Sequence, residues 1–457
     1  MKARGIRSGD AQKPLIPHSE PVSGTGTAEA AQSSSSNGFK RFLKVLGPGF
    51  ITGASDDDPS GIGTYSSAGA SLGFAPLWLA LITFPLMAVV QFICAEVGLV
   101  TGRGLSGVIK RHYTGWILYP VVIALVVANT INAGADIGAI AAAINLLVPA
   151  LPIVALIVPI AVVILILQIW GSYRLIANIF RWLTLSLLAY IVSAFFSHPD
   201  LSAVFKGTFV PTFSWDSTFL ATIIAILGTT ISPYLFFWQS DQEVEERISM
   251  GRTRLAQRQG ASKKELKTTG LDVGIGMFFS NMVMYFIILA TAATLFKAGK
   301  HDIQSATDAA AALRPLAGNA ASLLLAIGLI GSGFLAVPVL TGSAAYALSE
   351  AFGWQSGLEK NWRRAKQFYA IIIGATLIGM LINFVGINPI QALFWSAVIN
   401  GLLAPPLLIL LMLIANNRRI MGKHVNGWKL NLFGWLATLL MTAAAVLFCF
   451  MLVTGQQ

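Results

Sequence analysis

The sequence predicts an all-α membrane protein of about eleven transmembrane helices in a 5+5 inverted repeat, with helices 1 and 6 broken. Three observations lead there. Of 457 residues, 55% are hydrophobic and 11% charged, whereas about a quarter of an average soluble domain is charged. Apolar stretches of about 20 residues, long enough to cross a hydrocarbon core about 30 Å thick, recur after residue 45. Two of these stretches, the first of each five-span unit, are interrupted by glycine, proline and small polar residues.

Taken in order, residues 1–38 are rich in Ser, Ala, Gly and Pro and hold no apolar core of a cleaved signal peptide, so a disordered cytoplasmic tail is expected. A single transmembrane domain follows over 39–457. Its spans are expected at about 45–72, 76–100, 118–148, 152–170, 176–197, 218–240, 271–297, 320–349, 367–385, 389–414 and 432–453. The two repeats then cover about 45–197 and 218–414, with the span at 432–453 as an extra helix. A β-barrel is excluded, because its strands alternate over about 10 residues and the run 154–169 is apolar throughout. Cys94 and Cys449 both lie in apolar stretches, which leaves neither a disulfide framework nor a cysteine metal site.

Charge gives the orientation. With a cytoplasmic N-terminus, only Lys206, Lys297, Lys300 and Arg314 of the 31 Lys and Arg fall on the outer side, a strong positive-inside bias. The protein is therefore expected as a multi-pass protein of the plasma (inner) membrane with its C-terminus outside. The net charge of +11 reflects this topology and not a nucleic-acid-binding face, for which no soluble domain remains. The basic stretch 243–267 reads as a solvated cytoplasmic loop against anionic lipid headgroups, with a partner-docking site as the alternative. No His cluster, P-loop or nucleophile–base pair marks an enzyme.

Span 1 carries Gly47, Pro48, Gly49, Gly53, then Asp56, Asp57, Asp58, Pro59, Ser60 and Gly61. A continuous helix is disfavoured there by proline and glycine, and one Asp at the centre of a span costs about 3 kcal/mol even on a lenient scale. Span 6 repeats the device in Gly228, Thr229, Thr230, Ile231, Ser232, Pro233 and Tyr234. Paired breaks in corresponding spans point to a transporter's central site. The first half of each broken span directs its negative C-terminal end at the midplane, which together with Asp58 favours a cation. Asp58 and Ser232 are also good N-caps before proline, so both a ligand and a capping role stand. Asp56 and Asp57 point about 100° apart on a helix and are expected to line a wet approach to the ion. Asp136 is an ionisable group within span 3 and is expected as a proton carrier, against the alternative of a buried anchor. Glu96 is expected to pair with Arg103, and Asn400 to make a helix-packing hydrogen bond, with an oxygen contributed to the site as the alternative.

The run from Gly47 to Gly61, continued by residues 68–73 and 98–103, resembles the opening of the Nramp divalent metal-ion transporters, and the similarity returns at span 6 and Asn281. The resemblance implies a LeuT-like fold with a divalent manganese or iron ion between the broken helices and proton cotransport. It implies a metal site of Asp58, Ser55, Gly61, Ile231 and Ser232, a substrate path with Asp56, Asp57, Gln91, Thr229, Thr230, Tyr234 and Asn281, and a proton path through Asp136. The metal is substrate, no cofactor is expected, and a monomer in contact with membrane lipids is the expected unit.

The sequence departs from that family in chemically pointed ways. Gly61 stands in place of an asparagine ligand, Ser232 in place of a methionine, Tyr234 in place of a histidine, and Ala139 in place of a glutamate. Without a soft sulfur ligand, discrimination against hard cations is expected to weaken. Small Gly61 and Ser232 leave room for a hydrated ion, so magnesium and manganese lead. A sodium- or proton-driven symporter of a small organic solute, and a non-transporting receptor or scaffold, are the alternatives on the same fold.

Overall fold

The computed structural model describes residues 47–171, 188–303, 306–314, 318–358, 360 and 362–454. The expected tail, 1–38, and most of the expected fifth span lie outside them. All regular structure among the described residues is helical. Among the described residues, eight helical segments are long and apolar enough to cross a membrane, and the broken first span and a shorter apolar helix at Lys366–Ile382 add to these.

Both interruptions are present. Span 1 is α1 (Pro48–Asp56) and α2 (Pro59–Leu72). The chain leaves α1 at Asp57 with φ −83°, ψ 50° and restarts at Asp58 with φ −69°, ψ 168°, an extended N-cap geometry before Pro59. Between the broken spans come α3 (Trp78–Thr101), α4 (Leu105–His112), α5 (Gly115–Leu147), α6 (Ile153–Trp170), α7 (Ala189–Phe196) and α8 (Leu201–Phe209). Span 6 is α9 (Ser217–Thr230) and α10 (Pro233–Ser249), interrupted at Ile231 and Ser232. The second half continues through α11 (Leu255–Arg258), α12 (Lys263–Thr291, ending in a π-turn), α13 (Ala306–Ala311), α14 (Ala321–Phe352), α15 (Lys366–Ile382), α16 (Pro389–Ala415), α17 (Arg418–Met421) and α18 (Trp428–Thr454).

The packing follows the inverted repeat. α5 and α14, the third span of each unit, form the most extensive helix pair, and α3 packs on α10 as α12 packs on α2. The first half of each broken span is held by close backbone approach. A Cβ on Gly53 would lie 2.3 Å from the Gly276 carbonyl of α12, and one on Gly228 would lie 2.2 Å from the Ala397 carbonyl of α16. Only glycine permits helices to come this near. A polar clamp adds to the first contact, because the Asp272 carboxylate of α12 accepts the backbone N–H groups of Gly47 (2.8 Å), Gly49 (2.7 Å) and Phe50 (3.3 Å). The orphan donors of the α1 N-terminus are satisfied by a neighbouring helix.

Two expectations are corrected outside the breaks. The stretch 243–267 is largely helical, and Arg247 within it is buried, with its guanidinium donating to the carbonyls of Leu99 (2.6 Å), Gly260 (2.8 Å) and Arg258. It ties α10 to the end of α3 instead of meeting solvent. Glu96 forms no ion pair with Arg103 among the described residues. Arg103 lies in the field of Glu350, whose carboxylate accepts the amides of Gly104 and Gly107 at 2.9 and 2.7 Å.

Candidate cation site between the two helix breaks

The two breaks lie side by side. The Tyr234 phenol at the start of α10 donates to the Ser55 carbonyl at 3.1 Å, close to the end of α1. The Ser60 and Thr229 hydroxyls stand 3.5 Å apart, and those of Tyr65 and Thr230 are 3.3 Å apart. Each contact joins one broken span to the other, so the negative C-terminal ends of α1 and α9 face a common centre.

Asp58 is the most heavily bonded side chain there. Its Oδ1 accepts the Ser60 hydroxyl at 2.6 Å and the Gly61 amide at 2.7 Å, which is the cap of α2. Its Oδ2 accepts the Asn132 side-chain amide of α5 at 3.1 Å. An ionised carboxylate has about four acceptor positions, so three donors leave one for a cation, and the capping and ligand roles are compatible. Asp56 and Asp57 turn away from Asp58 toward α12, where the Ser280 hydroxyl lies 2.6 Å from Asp56 Oδ2 and 3.3 Å from Asp57 Oδ1. One oxygen of each remains without a hydrogen-bond partner among the described residues. Unwinding at Asp57 thus sends the three carboxylates to two places.

Asp136 sits one turn beyond Asn132 on α5, on the same helix face. It is in the electrostatic field of Asp58 and near the Ser60 amide. Asp56, Asp57 and Asp136 are 0% exposed and Asp58 is 1% exposed, and among the described residues no Lys or Arg is ion-paired with any of them. Nor, among those residues, are three His, Cys, Asp or Glu side chains grouped to hold a metal ion. A cation here would rest on Asp58 with backbone carbonyls and hydroxyls, an all-oxygen set suited to hard ions.

The remaining expected residues divide. Ser55 offers its carbonyl, while its hydroxyl donates to Ile51 within α1. Ile231 is the residue on which α9 ends. Ser232 stands at the N-cap position of α10 but its side chain makes no cap bond; its hydroxyl donates backward to the carbonyls of Gly228 (2.8 Å) and Thr229 (2.6 Å). The space opposite Gly61 is taken, since a Cβ there would lie 3.3 Å from both Thr229 Oγ1 and the Tyr65 ring. Gly61 thus leaves no open space in this structure, and Asp56 and Asp57, expected to line a wet approach, are fully buried. Asn281 is committed elsewhere, accepting from Thr83 at 2.9 Å and donating to the Ala80 carbonyl at 2.9 Å. Gln91 is buried with no hydrogen bond to the cluster, and Asn400 makes no packing hydrogen bond among the described residues. Sequence reasoning missed Asn132, Ser280, Tyr65 and Ser396. Asn132 is four residues before Asp136 and Ser280 is adjacent to Asn281, so the spacing held a signal for the first.

Comparison with known proteins bears on this geometry. The family model described as natural resistance-associated macrophage protein-like matches residues 49–451. The divalent metal cation transporter MntH of Bacillus subtilis (strain 168) is 29% identical over 416 residues, covering 90% of this chain and 92% of its own. Among solved structures, the Eremococcus coleocola manganese transporter in complex with an aromatic bis-isothiourea substituted compound aligns with a TM-score of 0.69 and 19% identity, over 93% of this chain and 89% of that one. The nucleobase-cation-symport-1 transporter Mhp1, closed with bromovinylhydantoin bound, aligns with a TM-score of 0.55 and 14% identity, over 89% of this chain and 93% of that one. At such identities the structural likeness concerns the fold alone.

Proposed function

Because the chain belongs to the natural resistance-associated macrophage protein-like (Nramp) family, we propose that it is a secondary transporter moving a divalent metal cation across the membrane, with Asp58 as the anionic ligand. The observation that carries this reading is the set of four buried carboxylates without a basic partner among the described residues. Unpaired buried charge is strongly unfavourable. Such groups take up a proton or a cation, and at Asp58 the C-terminal ends of α1 and α9 favour the cation.

Transport by alternating access is supported by the same contacts. The Tyr234–Ser55 bond and the Tyr65–Thr230 pair span the two breaks, and the Asp272 clamp holds the N-terminus of α1 against α12. Loss of the clamp would let α1 move away from α12 and open the site on one side. Loss of the interbreak contacts would separate the two broken spans. A divalent ion entering between them meets the Asp58 oxygen, the carbonyls of Ser55 and Ile231 and the hydroxyl of Ser232, with Gly61 alongside.

Magnesium and manganese are the leading passengers, because the donors are all oxygen and magnesium prefers an octahedral shell that retains several waters. Asp136, facing Asp58, is the proposed proton carrier for any coupling. A plasma-membrane monomer with a cytoplasmic N-terminus and an outer C-terminus completes the proposal. Uptake into proteoliposomes with manganese, magnesium and calcium, with Asp58→Ala as control, tests it. Saturable uptake of manganese or magnesium that is lost in the control is expected. No flux of any metal, alongside binding of an organic amine or amino acid, would transfer the protein to the solute symporters.

A further inference from the structure

We infer that Asn132 is a positioning residue for the ion-binding carboxylate, acting through Asp58 and itself held by Ser396; this rests on the reading of Asp58 as the ligand. Asn132 Nδ2 donates to Asp58 Oδ2 at 3.1 Å, and Asn132 Oδ1 accepts the Ser396 hydroxyl of α16 at 2.7 Å. Ser396 also approaches the Leu393 carbonyl at 2.8 Å. All three side chains are at most 2% exposed. The orientation of the amide follows from its neighbours, because a carboxylate can only accept and a hydroxyl can supply the proton that the amide oxygen needs.

Two consequences follow. Ser60 and Gly61 occupy both acceptor positions of Asp58 Oδ1, so the position left for a cation is on Oδ2, the oxygen that Asn132 holds. The ion therefore meets one oxygen of Asp58 and not a bidentate pair, and the angle of that oxygen is set from α5. The holding groups are also neutral. A Lys or Arg in place of Asn132 would orient the carboxylate equally well but cancel the charge that attracts the ion, whereas an amide anchored by a hydroxyl orients it and leaves the charge intact. Three elements from distant parts of the chain, α2, α5 and α16, thereby agree on the direction of one lone pair.

The test is metal uptake by purified protein in proteoliposomes, with manganese and magnesium as probes. A hydrogen bond to a charged group is worth roughly tenfold to a hundredfold in an equilibrium. Asn132→Ala is expected to raise KM for both ions by about that factor while Vmax stays within about threefold and thermal stability in detergent is kept. Ser396→Ala is expected to raise KM by a smaller factor. The double variant should match Asn132→Ala alone, because removing Asn132 makes its holder irrelevant. If Asn132→Ala does not assemble, Ser396→Ala carries the test by itself. Wild-type KM in both variants, or a fall in Vmax with KM unchanged, would overturn the positioning role while leaving the transporter reading in place. Absence of metal uptake by the wild type would remove both.

Discussion

The hydroxyl of Tyr234 and the carbonyl of Ser55, 3.1 Å apart, form a hydrogen bond that links the two broken helices. Ser55 and Tyr234 are 0% and 1% exposed, so the bond is made where both groups are shielded from solvent. Tyr234→Phe removes this bond while keeping the ring. A neutral hydrogen bond contributes about 1 kcal/mol, near fivefold in population. Alkylation of a cysteine at position 229, in a background where the exposed Cys449 is replaced by serine, is expected to accelerate about fivefold. An unchanged rate would mean that the bond does not hold the site closed.

Capping and ion binding by Asp58 can be separated. Asparagine is as good an N-cap as aspartate, so Asp58→Asn is expected to keep the stability of α2 but to lose at least tenfold in metal uptake. Asp58→Ala is expected to lose uptake and, in addition, about 1 kcal/mol of stability. Thermal unfolding and uptake measured on the same preparations check this. Full uptake by Asp58→Asn would make the residue a cap only.

Asp272 makes a prediction about the other end of α1. Its carboxylate holds three amides, and hydrogen bonds to charged groups are worth about 1.5–3 kcal/mol each. Asp272→Ala is expected to increase amide hydrogen exchange in residues 47–56 at least tenfold, with the peptides of α5 unaffected. Uniform exchange across both regions would show global loosening and not release of α1.

Ser232 decides how hard the site is. Its hydroxyl engages the carbonyls of Gly228 and Thr229, and a thioether would release them and add a soft donor. Ser232→Met is expected to shift competition toward manganese and cadmium over magnesium, measured as the ratio of inhibition constants. An unchanged ratio would remove position 232 from the ion's surroundings.

The breaks were legible in the sequence because they are local. Proline after Asp58 and Ser232, with glycines nearby, disrupts a helix wherever it is packed. The partners of Asp58 were not legible for an equally physical reason. Asn132, Ser280 and Ser396 lie on spans that are apolar on nearly all sides, and such helices carry no amphipathic stripe to reveal their rotation. The sequence points to Asn281, whereas its neighbour Ser280, a step of about 100° around the helix, is the residue at Asp56. The direction of the Ser232 hydroxyl was equally invisible, because a serine before proline reads as an N-cap in any context. Arg247 looked solvated because a basic cluster usually is, and only the fold reveals the carbonyls of Leu99 and Gly260 around it.

The central claim is that a divalent ion binds Asp58 between the two breaks, and anomalous diffraction from crystals soaked in manganese tests it most directly. A single peak is predicted at direct-ligand distance from Asp58 Oδ2, with the Ser55 or Ile231 carbonyl also in contact, and it should vanish in Asp58→Asn. A peak confined to Asp56, Asp57 and Ser280, or none in crystals of protein that transports manganese, would contradict the account.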